Sequence, residues 1–160
     1  LTRQVSGLTH RHIRSVISCF ILLEFARYIA TGMDKSEAYK SLRTVTAGQL
    51  GSFRISDVET GHFSRILKGN IHDLPEEKIR SSGYVVDTLE AAIWCLMKTK
   101  NYSAAVLKAV NLGRDTDTTA AVTGGLAGLL YGHETIPEEW MDVLARRKDI
   151  ENLVLRLEVR

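Results

Sequence analysis

Cysteine is scarce in this chain of 160 residues, with only Cys19 and Cys95, and both fall inside apolar helical patterns. A free thiol in such a place behaves as a small hydrophobe. No disulfide framework is indicated, and a reducing, cytoplasmic setting is expected. Charge of one sign is also lacking: 21 basic side chains face 19 acidic ones, for a net charge of +2. The basic residues are scattered, and Arg146-Arg147-Lys148 reads as a solvated helix face, which argues against a nucleic-acid partner. There is no uncharged run long enough to cross a bilayer. The stretch from Ile13 to Ala30 is broken by Arg14, Glu24 and Arg27, and the uncharged stretch from Ala120 to Tyr131 is too short, so no membrane partner is expected. No segment reads as a secretory signal. Alternating runs, low-complexity tracts and repeats are missing too, which removes the usual marks of strands and solenoids.

What remains is helical almost throughout. With 44% hydrophobic and 25% charged residues, the chain has the composition of one globular domain with a real core. Ile13, Val16, Ile17, Phe20, Ile21 and Phe25 recur at three- and four-residue steps and predict a first long helix that stops near Thr31-Gly32. Ser6 and Thr9 are its candidate caps. Asp34 followed by Glu37 has capping-box spacing and opens a second helix through Ala38, Leu42 and Val45. A looser region surrounds Phe63, Ile66 and Leu67 and ends at Gly69. The polar stretch from Asn70 to Gly83 predicts a long loop, of the kind that carries function. Beyond it, Val86, Leu89, Ile93, Leu96 and Met97 form one helical stripe. Ser103 is the expected cap of a helix from Ala104 to Asn111, Gly132 closes a helix from Thr119 to Tyr131, Pro137 opens another, and an amphipathic helix is expected from Ile150 to Leu157. The fold class is all-α.

Between two of these helices lies Gly113-Arg114-Asp115-Thr116-Asp117-Thr118-Thr119, two carboxylates and a run of hydroxyls in one short polar break. Residues two apart do not share a helix face, so Asp115 and Asp117 converge only in a loop or at a helix entry. Such a turn offers oxygen ligands, which hard divalent cations prefer, and it has no Cys or His to point to zinc. The simpler reading is that one aspartate caps the following helix. A calcium loop of the EF-hand kind fails, because counting from Asp115 its glycine and glutamate positions hold Ala120 and Leu126. Asp115, Asp117 and Thr119 also satisfy D-x-D-x-T, which resembles the nucleophile motif of haloacid dehalogenase-type phosphatases. There the motif follows a buried strand, whereas here a helical pattern precedes it.

The helix that follows is rich in small residues: Ala120, Ala121, Gly124, Gly125, Ala127 and Gly128. Each glycine costs about 1 kcal/mol of helix propensity against alanine, so their number implies close approach of a neighbouring helix. Asp87 and Glu90 stand one helical turn apart like an acid/base pair, but an early-turn aspartate is already favoured by the helix dipole. His62, His72 and His133 show no metal-ligand spacing.

Five ordered blocks together resemble the ADP-ribosylglycohydrolase family. They are Ser6 to His12, Ser81 to Ala92, Ala109 to Ala121, Thr123 to Gly128, and Ile136 to Trp140, and they cover nearly the whole chain. The resemblance implies a compact, orthogonal all-α bundle and hydrolysis of the bond between ADP-ribose and an acceptor, through an N- or O-glycosidic linkage. It implies two Mg²⁺ or Mn²⁺ ions, with Asp115, Asp117 and Thr118 at positions matching metal ligands and the two aspartates acting in catalysis. Thr9, His10, Ser82, Gly83 and Tyr84 would border ADP-ribose or an ADP-ribosylated protein or small molecule. Arg114 stands where glycine is common and becomes a candidate substrate contact. The family's N-terminal Thr-Asp-Asp and Gly-Asp-x-x-Gly segments have no counterpart here. The expectation is therefore a single all-α domain over residues 1–160, forming the C-terminal portion of a larger glycohydrolase and incomplete at its N-terminus. It would carry half of a metal site, need the missing segment to complete it, and be inactive or nearly so alone. The alternative is a non-catalytic ADP-ribose-binding or structural relative.

Overall fold

The computed structural model describes residues 1–53 and 55–158, and every regular element among them is helical. In chain order the α-helices are α1 (Thr2–Ser6), α2 (Ile13–Ala30), α3 (Lys35–Ser41), α4 (Ala47–Ser52), α5 (Asp57–Gly61), α6 (Ser64–Leu67), α7 (Val85–Lys98), α8 (Tyr102–Val110), α9 (Thr116–Tyr131), α10 (Glu138–Asp142) and α11 (Arg147–Glu158), with short 3₁₀ turns at Ile71–Asp73, Glu76–Lys78 and His133–Thr135. A π-helical stretch, Leu42–Thr46, joins α3 to α4, so the second expected helix runs on through a widened turn. None of the helices is long and apolar enough to cross a membrane. The phosphatase context also fails, since α8 occupies the place that a buried strand would need.

Helix α7 is the axis. Of its expected stripe, Val86, Leu89, Ile93 and Leu96 are buried and Met97 is half-buried, while Ala91, Ala92, Trp94 and Cys95 are buried on its other sides. Helices α2, α8 and α9 pack around it. From α2 come Ile17, Ile21 and Phe25, and from α9 Leu126 and Ala127, all of them in the core. Each large apolar side chain removed from water here contributes roughly 1.5–3 kcal/mol. Trp94 adds a polar tie, its indole N–H donating to the Leu74 carbonyl at 2.9 Å, which fastens the long loop to the axis. Burial pushes the Cys95 thiol up to about 12, so it stays protonated as a core residue.

Several helix ends differ from expectation in ways that local competition explains. His12, and neither Ser6 nor Thr9, caps α2: its Nδ1 accepts from the Arg14 N–H. Asp34 caps α3 as expected, accepting from Ser36 and Glu37. Helix α8 starts earlier than Ser103, because the Asn101 side chain reaches the Ala104 N–H at 2.8 Å while Ser103 donates to Asn101 instead. Helix α9 starts at Thr116, three residues before the expected Thr119, and ends where Gly132 adopts φ 88°. Helix α11 is amphipathic, yet its Leu153, Leu155 and Leu157 are exposed.

The small-residue face of α9 does allow close approach, at one position above all. A Cβ on Gly124 would lie 3.2 Å from the Tyr102 hydroxyl and 3.6 Å from Val106 on α8, whereas one on Gly125 would meet nothing within 4 Å. Gly124→Leu is therefore expected to cost about 1–3 kcal/mol by overpacking. Gly125→Ala is expected to gain up to about 1 kcal/mol of helix propensity. Thermal unfolding of the two variants tests this, and equal melting temperatures would contradict it.

Glu90 gives the core a pH dependence. It is 3% exposed, and desolvation pushes its carboxyl up to about 7 even though Arg65 lies 3.4 Å away and pulls the other way. A raised folded value means that the native state holds the proton more tightly, so this contribution is full below about 4.5 and is lost as pH rises through about 7. Relative to the parent, Glu90→Gln should gain stability across that window in urea unfolding. A difference that stays flat with pH would show that Glu90 does not titrate there.

Candidate functional site

The site starts from a turn that two backbone angles create. Gly113 has φ 79° and Arg114 φ 61°, consecutive left-handed residues that reverse the chain between α8 and α9. The turn is then clamped from across the fold by the loop before α7. Ser81 Oγ donates to the Gly113 carbonyl at 2.6 Å, and the Asp115 N–H donates to the Ser81 carbonyl at 3.0 Å. Ser81 is 2% exposed, so both bonds are shielded from water. This explains why Ser81 belongs to the polar loop and yet is buried.

The clamp leaves the aspartates at the entry of α9. Asp115 occupies the N-cap position, but its carboxylate makes no bond to the helix backbone. It accepts instead from Thr118 Oγ1 at 2.9 Å, while Thr119 Oγ1 donates to the Asp115 carbonyl at 2.9 Å. Asp117 accepts from the Thr118 N–H at 2.9 Å. That bond from the backbone holds the Asp117 carboxyl below the usual carboxylate range. Simple capping thus does not account for Asp115. The two carboxylates meet at Thr118 and present an oxygen-only donor set, suited to a hard divalent cation. Among the described residues no group of three His, Cys, Asp or Glu side chains is assembled to hold a metal.

A cleft of about 350 Å³ adjoins this corner, between α2, α7 and α9. Thr9, His10, Gly83 and Thr118 line it, so four of the residues singled out from the sequence converge. Gly83 keeps its edge open, because a Cβ there would come within 3.3 Å of Asp115 Oδ2. The walls add Leu22, Val85, Leu89 and Val122, which are apolar, and the hydroxyls of Ser15, Ser18 and Thr88. Ser18 was not legible as a site residue. It is 4% exposed and its Oγ has no hydrogen-bond partner among the described residues.

The remaining sequence candidates are placed differently. Ser82 Oγ donates to Asp87 at 2.6 Å and accepts from the Tyr84 N–H at 3.1 Å, so its hydroxyl shapes the turn into α7. Asp87 is thereby occupied and does not pair with the buried Glu90. Tyr84 is 38% exposed at the start of α7, with its hydroxyl accepting from Arg14 Nη1 at 3.2 Å. Arg114 lines a second, polar hollow of about 580 Å³ with Arg80, Glu76 and Glu77, away from the cleft that Thr9 and His10 line. It is therefore not grouped with Thr9, His10 and Gly83 in that cleft, and it shares its hollow with Ser81.

A non-glycine residue in the left-handed region costs roughly 1–2 kcal/mol, and a glycine loses about 0.5–1 kcal/mol more entropy on folding. Arg114→Gly is therefore expected to stabilise the chain by about 0.5–1 kcal/mol, read as a higher urea midpoint at unchanged slope. A lower midpoint would show that the arginine side chain contributes more than its backbone strain costs.

Comparison with known proteins agrees with the residue pattern. The family described as ADP-ribosylglycohydrolase matches residues 1–160. A protein of Serratia proteamaculans (strain 568) named ADP-ribosylarginine hydrolase Tri1 is 38% identical over 155 residues, which cover 95% of this chain and 38% of that protein. Its namesake from Pseudomonas putida (strain GB-1) is 35% identical, again over 95% of this chain and 38% of the relative. A solved structure described as an ADP-ribosylglycohydrolase-related protein complex superposes with a TM-score of 0.78 at 28% identity, covering 96% of this chain and 50% of that one. The chain thus spans well under half the length of these two curated relatives.

Proposed function

This chain belongs to the ADP-ribosylglycohydrolase family, and on that premise we propose that its site serves the hydrolytic removal of ADP-ribose from an ADP-ribosylated acceptor. The observation that carries the reading is the corner where Asp115 and Asp117 bond to Thr118, which lines the cleft together with Thr9, His10 and Gly83. Two relatives named as ADP-ribosylarginine hydrolases support arginine-linked ADP-ribose as the first substrate to assay.

In this reading Asp115, Asp117 and Thr118 would hold Mg²⁺ or Mn²⁺, with two ions expected. The donor set fits, since it is all oxygen and the Asp115 carboxylate is not taken up by capping the helix backbone. When bound, such ions orient ribose hydroxyls and lower the pKa of a water. The protein's own groups do the rest. Asp117, held low by the Thr118 N–H, is ionised at neutral pH and offsets the positive charge that develops on the ribose ring. His10 and Thr9 are hydrogen-bonded neighbours at 3.1 Å on the opposite lip, where they meet the ribose or diphosphate. Gly83 keeps the space between Asp115 and the substrate open, and the Tyr84 ring offers a stacking face.

The test is Mg²⁺-dependent release of ADP-ribose from ADP-ribosylarginine by the full-length protein, compared among the parent, Asp115→Asn and Asp117→Asn. Outer-shell partners of metal ligands are already worth 10–100-fold, so loss of a ligand charge should lower turnover by more than about a hundredfold. Unimpaired turnover in both variants would refute the assignment. ADP-ribose binding that survives both changes, without turnover by the parent, would identify a non-catalytic binding protein.

A further inference from the structure

Three segments far apart in the chain meet at one guanidinium. Arg14, in the first turn of α2, donates from Nε to Glu59 Oε2 at 2.6 Å and from Nη2 to Glu59 Oε1 at 3.1 Å. Its remaining arm, Nη1, donates to the Tyr84 hydroxyl at 3.2 Å. The pair is half-buried, with 28% and 22% of the two side chains exposed. Two parallel bonds fix the plane of the guanidinium as well as its position, which a lysine at this place would not do. Glu59 sits in α5, which buries none of its own residues. Its most evident tie to the site is therefore this carboxylate.

We propose that Arg14 and Glu59 are positioning residues that hold the Tyr84 hydroxyl as an oriented hydrogen-bond donor on the residue between Gly83 and Val85, which both line the cleft. An arginine has no lone pair to offer, so the Tyr84 oxygen must accept from it. The phenolic proton is then left for another acceptor. A ligand that places phosphate or ribose oxygens at the Gly83–Tyr84 edge supplies one, and this choice of ligand rests on the ADP-ribose reading above. The fork turns a surface tyrosine, free by itself to rotate, into a donor whose hydroxyl is held before the ligand arrives. Preorganisation of this kind reduces the cost of ordering on binding. Nothing in the local sequence signals it, because Arg14, Glu59 and Tyr84 are separated by 45 and 70 positions from the first to the others.

The experiment is a double-mutant cycle on the ligand-free protein, labelled with 3-fluorotyrosine and assigned by loss of the Tyr84 signal in Tyr84→Phe. Arg14→Met and Glu59→Gln should each shift the Tyr84 fluorine resonance and speed amide exchange at Tyr84 about fivefold, the factor that one net hydrogen bond carries. In the Tyr84→Phe background, Arg14→Met should add nothing at that amide. The same acceleration in both backgrounds would overturn the proposal and leave Arg14 as a tie between α2 and α5 alone. A titration with ADP-ribose, read on the same resonance, tests the ligand separately. A parent signal that does not move rejects ADP-ribose, while the ligand-free cycle still decides the role of Arg14 and Glu59.

Discussion

The paired hydrogen bonds between Ser81 and the turn of residues 113–115 are the constraint on which the site depends. They join the loop that leads into α7 to the break between α8 and α9. With Ser81 buried, the bonds exchange little with water and fix the aspartate turn relative to the core axis. Gly83 follows two residues later and Asp115 lies across from it, so one clamp sets both the floor and the acidic edge of the cleft. If the loop shifted, the cap position of α9 would shift with it.

Helix α7 makes that clamp rigid. It is buried on nearly all sides and held by α2, α8 and α9, with the Trp94 indole fastening the preceding loop. Close approach of α8 and α9 at Gly124 keeps the two helices that flank the aspartate turn in one relative position. The polar chemistry is therefore mounted on short helix ends and loops, and the stiffness comes from apolar packing behind them. The Arg14–Glu59–Tyr84 group ties α2 and α5 to the start of α7, next to Gly83.

Much of this was legible in the sequence wherever the signal was periodic. The apolar steps from Ile13 to Phe25 gave α2, the stripe from Val86 to Leu96 gave α7, and the D-x-D-T spacing fell at the entry of α9, where Asp115 and Thr118 hydrogen-bond. Helix ends were harder, because several polar residues compete for the same backbone N–H. Asn101 outcompetes Ser103, and His12 outcompetes Thr9, for reasons of reach that no spacing rule encodes. The position of Arg114 shows the opposite case, a local backbone angle that a glycine would have announced and an arginine conceals. Contacts between distant segments left no trace at all. Arg14 looked like a mere interruption of an apolar stretch, and Ser18 like an ordinary helix residue, until the fold brought Glu59 to one and the cleft to the other.

The central claim is that Asp115, Asp117 and Thr118 form an oxygen-only cation corner at the edge of the cleft. The most direct measurement is an anomalous-difference map from crystals grown with Mn²⁺. A peak within coordination distance of the Asp115 and Asp117 carboxylates is the predicted result. Saturating Mn²⁺ with no peak at that corner, or one held only by other side chains, would contradict the account.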